Sequence, residues 1–196
     1  MRKGFLVIWL VLLLAAISML FWKNDIVYSM PTPVPSNYKP ISTGSLVDLP
    51  GVVAKDNRPL FLHFFNPGCP CSRFNITHFK SLVKKYRAAV NFQMVVLSKE
   101  QLTQEEIQER YDLNIPVLFD SSIAAACAVY STPQAVIISN DKLYYRGNYN
   151  KSRYCTEKKS NYAELALQSL LQSNKYPQFD DNALRAYGCQ LPSCTK

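Results

Sequence analysis

The chain has 196 residues, enough for one compact domain with extensions, and 48% of them are hydrophobic. The formal net charge is +8; setting aside Arg2, Lys3 and Lys23 leaves 19 basic against 14 acidic residues. These are scattered rather than striped, which argues against nucleic-acid binding.

The apolar residues are unevenly placed. Gly4 to Trp22 carries no charge and is bounded by Arg2-Lys3 and Lys23. Such a run is long enough to cross a bilayer as a helix. A cleaved signal peptide is the alternative, with Ala15-Ala16-Ile17-Ser18 as a weak cleavage site, but Met19-Leu20-Phe21-Trp22 carries the apolar run past it. An uncleaved anchor over 1–23 is favoured. Arg2 and Lys3 then hold the N-terminus in the cytoplasm, and the rest of a single-pass protein is exported across the cell membrane.

Residues 24–42, with Pro31, Pro33, Pro35 and Pro40, read as an extended tether. A globular domain is expected over 43–175, and a cysteine-containing tail over 176–196. Within the domain, Leu60–Phe65 is an apolar run expected to be a buried strand, and Cys71–Val90 has helical spacing. Phe92–Leu97 reads as a strand, Lys99–Tyr111 as a surface helix, Pro116–Phe119 as a short strand and Ser121–Val129 as a short helix. Gln134–Ser139 and Leu143–Arg146 form a hairpin around Asn140-Asp141. Ser160–Leu171 closes the domain as an amphipathic helix. The fold class is α/β, with a mixed central sheet flanked by helices.

Gly68-Cys69-Pro70-Cys71-Ser72-Arg73 lies at the turn from the first strand into the first helix of that domain. A helix N-terminus presents unpaired N–H groups and the positive end of the dipole, which stabilise the thiolate needed for disulfide exchange. Cys69 is the expected nucleophile. A Cys69–Cys71 bridge would be strained, because residues i and i+2 do not face each other on a helix, and strain makes a disulfide easily reduced. This points to an oxidant or an isomerase. Six cysteines in an exported chain admit many pairings. Cys189 and Cys194 read as a local structural disulfide that pins the tail; the alternatives are a tail that swings its thiols to the active site and a Cys69 that resolves onto a more distant thiol. Cys127, in an Ala-rich segment, reads as a small buried residue or a resolving thiol. His78, further along the same helix, reads as a surface residue.

The order of elements, with a cysteine motif after the first core strand, resembles the thioredoxin-like superfamily. The resemblance runs over about 60–171 and is carried by three segments. Gly68 to Arg73 aligns with the thioredoxin W-C-x-x-C-R segment. Ser131-Thr132-Pro133, followed by Gln134 to Ile138, matches the loop with the cis-proline that faces the active cysteine. Leu143-Tyr144-Tyr145-Arg146-Gly147 matches the last strand and its terminal glycine. The segment from Phe119 to Tyr130 is similar to the insertion of TlpA-like and peroxiredoxin-like members. Membrane-anchored bacterial redoxins are the group suggested, with the domain in the periplasm. Two departures stand out: Ser72 occupies the second cysteine position, giving C-P-C, and Gly68 replaces the preceding tryptophan.

The resemblance implies that Thr132 and Pro133 hold an extended partner chain beside Cys69. It places His63 where thioredoxins carry a buried acid, so His63 is a candidate proton carrier near neutral pH; the alternative is a core histidine. It brings the loop holding Cys155 near the cis-proline, making Cys155 a candidate resolving partner for Cys69 or Cys71. The expected activity is thiol-disulfide exchange with exported protein thiols and with a redox partner protein, without a cofactor. A thiol peroxidase is an alternative, although Leu62 and Asn66 stand where its Pro and Thr would be. A Cu(I)-binding or metal-delivery module using Cys69 and Cys71 is another. A scaffold stapled by disulfides is the last.

Overall fold

A computed structural model describes residues 2–49, 52, 56–172 and 176–191. The apolar run forms α1 (Arg2–Phe21), which passes through a wide helical turn, Trp22–Ile26, into α2 (Val27–Ser29). Lys3–Ser29 is thus one 27-residue helical stretch with a mean hydropathy of 2.7 in its most apolar window, and that window packs against nothing. It is long and apolar enough to cross a membrane.

The domain contains β1 (Leu60–Phe65), α3 (Pro70–Tyr86), β2 (Asn91–Val96), α4 (Gln104–Tyr111), β3 (Val117–Leu118), α5 (Ser122–Ala126), β4 (Ser131–Thr132), β5 (Gln134–Ser139), β6 (Lys142–Gly147) and α6 (Tyr162–Gln172). The tail adds α7 (Asp181–Leu184) and β7 (Cys189–Gln190). Five strands form one sheet in the order β3-β2-β1-β5-β6. β1, β2 and β3 run parallel, so each connection needs a crossover, supplied by α3 and α4. β5 lies antiparallel to β1, and β6 returns beside it as a hairpin. With the cis peptide bond at Thr132-Pro133 leading into β5, this is the thioredoxin-like arrangement.

β1 is buried at every position because it is central and covered on both faces. Its alternate residues serve two cores. Phe61 and Phe65 pack with Phe79 and Leu82 of α3 and with Tyr162, Ala166 and Leu167 of α6. Leu62 and Phe64 pack with Ile123, Ala124 and Cys127 around α5. The strict period of two thus places His63 among the aromatics under α3 rather than on the α5 side.

Element boundaries move by a few residues from expectation, and the largest difference is at α4. It begins at Gln104, not near Lys99, because Thr103 and Glu106 form a reciprocal capping box that fixes the first turn. Ser98, Lys99 and Glu100 are left as a loop beside the cysteine turn.

Both flanking segments pack on the domain. The stretch expected to be a free tether is docked at its start: Thr32 N–H donates to the Ala186 carbonyl at 2.8 Å, and Pro31 forms a bridge with Tyr187. In the tail, Ala183 and Ala186 are fully buried, and β7 pairs antiparallel with β4, setting Thr132 opposite Cys189. The tail is therefore part of the domain's wall.

Candidate active site

Cys69 is the N-cap of α3, with extended backbone (φ −87°, ψ 121°), and Pro70 opens the helix, a position where proline forfeits no hydrogen bond. The turn is fixed locally. Cys69 N–H donates to the Asn66 carbonyl at 3.0 Å, and Gly68 N–H donates to the Asn66 side-chain oxygen at 2.9 Å. Ser72, at the position of the usual second cysteine, is buried, and its hydroxyl accepts the Asn66 N–H at 3.3 Å. It ties the end of β1 to the first turn of α3 and carries no thiol chemistry.

Cys69 is disulfide-bonded to Cys189, 120 residues away. Two expectations are corrected here. Cys189 does not close a local loop with Cys194, which lies outside the described residues, and Cys69 is not bridged to Cys71, which is a free thiol. The strain argument for an oxidant falls with that bridge. The physical reason is the β4–β7 pairing. It delivers Cys189 to the cysteine turn, whereas a resting bridge from Cys69 to Cys71, only two residues on, would be strained. Ser131 anchors the pairing, its hydroxyl lying 3.0 Å from the Tyr187 carbonyl and 2.9 Å from the Thr32 hydroxyl. Gly188 has φ +114°, and a Cβ there would collide with the Thr132 carbonyl, so this tight passage suits glycine.

The disulfide is unequal in access. Cys69 is buried, with its sulfur 3.5 Å from the Thr132 carbonyl oxygen, and Cys189 is half-buried. Both line a cleft of about 290 Å³ with Asn66, Gly68, Ser98, Lys99, Glu100 and Gln190. Thr132, singled out in the sequence, lies opposite Cys189 in the β4–β7 pair with its carbonyl against the Cys69 sulfur, and Pro133 follows it through the cis peptide bond.

Cys71 sits one step further into the helix and is fully buried. Its sulfur lies 3.9 Å from the Tyr28 carbonyl of the segment that follows α1. Burial pushes its pKa up, while the neighbouring Arg153 guanidinium pulls against that. No sequence pattern singles out Arg153. Its side chain is almost wholly buried, with Nη2 donating to the Asn24 carbonyl at 2.9 Å and to the Tyr154 hydroxyl at 2.6 Å, and 3.5 Å from Asp25. Its plane lies over the rings of Tyr28, Phe74 and Tyr154. Its Nε and Nη1 are buried without a hydrogen-bond partner. The one available hint is a basic residue two positions before Cys155.

Cys155 is half-buried, and the Asn75 side-chain amide donates to its sulfur at 3.2 Å. Burial raises its pKa to about 11. Cys127 is buried in the α5 core, and its thiol is pushed up to about 12 by burial. That is the environment of a core residue, not of a resolving thiol.

His63 takes the place of the core histidine named as its alternative. It is fully buried, stacked on Phe79, with Nδ1 hydrogen-bonded to the Tyr149 hydroxyl at 2.7 Å. Burial, reinforced by the nearby His78, lowers its pKa to about 3, so it is neutral and does not titrate near pH 7. His78 is half-buried rather than a surface residue. Its ring meets Tyr149 edge-on, and its Nε2 is buried without a partner. Among the described residues, no group of three or more His, Cys, Asp or Glu converges as for a metal ion.

A family model described as a domain of unknown function, DUF6436, matches residues 40–191. The chain belongs to the DUF6436 family. The matched span contains Cys69, Cys71, Cys127, Cys155 and Cys189. No curated protein matches the sequence. Among solved structures, a hypothetical protein from Sinorhizobium meliloti 1021 is similar at 19% identity and TM-score 0.61, over 79% of this chain and 96% of that one. An uncharacterized conserved protein from Geobacillus kaustophilus is similar at 20% identity and TM-score 0.60, over 84% and 94%. The thioredoxin domain of a thiol-disulfide oxidoreductase from Bacteroides vulgatus is similar at 14% identity and TM-score 0.47, over 61% and 98%. These likenesses concern the fold.

Proposed function

We propose that this DUF6436 protein is a membrane-anchored thiol-disulfide oxidoreductase whose working bond is Cys69–Cys189. The observation that carries the reading is that disulfide itself, set at the N-terminus of α3 and lining an open cleft. A substrate thiolate attacks one sulfur of the bond, and the other cysteine leaves as a thiolate. When Cys69 is the leaving group, the helix N-terminus stabilises it. A second substrate thiol then attacks the mixed disulfide, so the substrate is oxidised and the pair reduced; the reverse sequence reduces a substrate disulfide. The substrates are exported proteins, met at the outer face of the cell membrane with α1 as the anchor, and a separate redox protein restores the pair.

The geometry favours the reducing direction. Strand pairing holds Cys189 against Thr132, so re-forming the bond is intramolecular and easy. The couple is therefore expected nearer to thioredoxin, at about −270 mV, than to strong dithiol oxidants at about −120 mV.

The test is equilibration of the full chain in detergent micelles over a series of glutathione and dithiothreitol buffers, with disulfides mapped by mass spectrometry. Opening of Cys69–Cys189 in the thioredoxin range, with peptide-disulfide reduction lost in Cys69→Ser, supports the reading. A bond that stays closed throughout would make it a structural staple and sink the proposal.

A further inference from the structure

The Cys69–Cys189 bond leaves three unpaired cysteines among the described residues. Cys127 belongs to the α5 core, but the other two share one small polar compartment under α3. Cys71 and Asn75 are four residues apart on the buried face of that helix, so their side chains stand one above the other, about 5–6 Å apart at Cβ. The Asn75 amide holds the Cys155 sulfur at 3.2 Å. The two thiols also sense each other's charge, the Cys71 thiolate raising the pKa of Cys155. A guanidinium completes the compartment: Arg153, two residues before Cys155, lies beside Cys71. Its Nε and Nη1, like the Asn75 Oδ1, are buried without a partner. A buried cation with spare donors is what a transient thiolate requires. Cys155 itself has φ +54°, a conformation uncommon for a side-chain-bearing residue, at the point where the chain turns back toward α3.

We propose that Cys71 and Cys155 form a second redox pair that exchanges electrons with Cys69–Cys189 inside the molecule. This rests on the proposed exchange activity of Cys69 and extends it to an internal relay. The Cys71 thiolate attacks the Cys69 sulfur, the Cys69–Cys189 bond breaks, and Cys189 leaves as a thiolate and takes up a proton. The Cys155 thiolate then attacks the Cys71 sulfur, the short-lived Cys69–Cys71 bond breaks, and Cys69 leaves as the thiolate favoured by the helix N-terminus. Two electrons pass from the Cys71/Cys155 pair to the Cys69/Cys189 pair. Two protons are lost by the first pair and two gained by the second, and no outside reagent is needed. The intermediate between residues i and i+2 is strained, which makes it a point of passage rather than a resting state.

The two pairs meet different surroundings. Cys69–Cys189 lines the cleft with Ser98, Lys99 and Glu100. Cys71 lies under Tyr28, on the segment continuous with α1. The relay thus connects the cleft to the part of the domain that adjoins the apolar helix.

The test uses the full chain in detergent micelles, prepared with Cys69–Cys189 closed and the remaining cysteines reduced. It is held without oxygen, added thiol or oxidant, then acid-quenched, alkylated and mapped. Peptides linking Cys155 to Cys71, with matching release of Cys189, at a rate unchanged on dilution, are expected. Cys155→Ser should abolish the release of Cys189. Full alkylation of Cys155 at every time point overturns the relay, as does a Cys71–Cys155 bond that forms only after an oxidant is added. In parallel, dithiothreitol is offered to the same preparation. If it opens Cys69–Cys189 although Cys155 never pairs with Cys71 in the untreated sample, the relay fails and the exchange activity stands. If dithiothreitol cannot open the bond, the exchange activity itself fails.

Discussion

The two ends of the described chain meet on the same short strand and are held there in different ways. The tail is joined to the site by strand pairing and by one covalent bond, Cys69–Cys189. The segment after α1 is joined by the Thr32 contacts, the Arg153–Asp25 pair and ring contacts around Arg153. Releasing Cys69 from the tail is therefore a redox event, all or none for each molecule. Freeing the N-terminal segment is a matter of competing equilibria among several weak contacts. The tail carries the bond that occupies Cys69, and the N-terminal segment lies against Cys71.

The harshest way to break this comparison is to remove the platform beneath both ends. His63 is held neutral in the core, with its pKa lowered from 6.5 to about 3. A histidine with a depressed folded-state pKa contributes stability that is complete above about pH 6.5 and is lost as pH falls from there toward 3. Each tenfold change in proton affinity is worth about 1.4 kcal/mol, so the full contribution is on the order of 5 kcal/mol. Denaturant melts between pH 7 and 4 should show stability falling steeply, and the fall should shrink in His63→Leu. Exchange rates of His63→Leu near neutral pH should match those of the unaltered protein. A selective loss of the neutral-pH rate would return His63 to the mechanism.

A milder intervention acts on the tail alone. Gly188→Val forces a branched side chain into a left-handed position against the Thr132 carbonyl, at a cost of about 1–3 kcal/mol to the β4–β7 pairing. Because the bond and the pairing support each other, the couple should become more oxidising by roughly 20–60 mV. An unchanged potential would mean that the pairing does not hold Cys189 in place.

The smallest effect is expected at the other end. Asp25→Asn removes one partner of Arg153, worth about 1 kcal/mol in a partly exposed pair. Alkylation of Cys71 should speed up by roughly threefold to tenfold while the Cys69–Cys189 potential stays put. A shift in that potential would show that the two ends are not independent.

Much of the interior was legible because it obeys local rules. Leu60–Phe65 matches β1 residue for residue, since an unbroken apolar run bounded by Pro59 and Asn66 has few alternatives. The helix after the cysteine turn and the hairpin around Asn140-Asp141 follow from periodicity and turn chemistry. Thr103-Gln104-Glu105-Glu106 carried a capping signal that would have placed the start of α4. The pairing of Cys69 with a distant tail thiol was legible only as one alternative among several, because a bond across 120 residues leaves no trace in local sequence. Cys189 looked like the partner of Cys194 only because the two are close along the chain. The prolines on either side of Ser36 suggested a tether by composition, yet composition does not reveal that Arg153 and Ala186 wait for Asn24 and Thr32. His63 was in the expected place, but its protonation is decided by Phe79, Tyr149 and His78, which reach it only through tertiary packing.

Only Met30 separates the end of α2 at Ser29 from Pro31, which already forms a bridge with Tyr187. With that helix as the proposed membrane anchor, a domain joined so closely to it has no leash on which to search. It cannot lean far into the surrounding space to meet a passing chain, nor turn its cleft freely toward one side. Encounters are then set by lateral diffusion and by height above the lipid, and a substrate must present its cysteines within a narrow layer at the surface. Lengthening that one-residue junction with a flexible insert would widen the layer without touching any residue of the site.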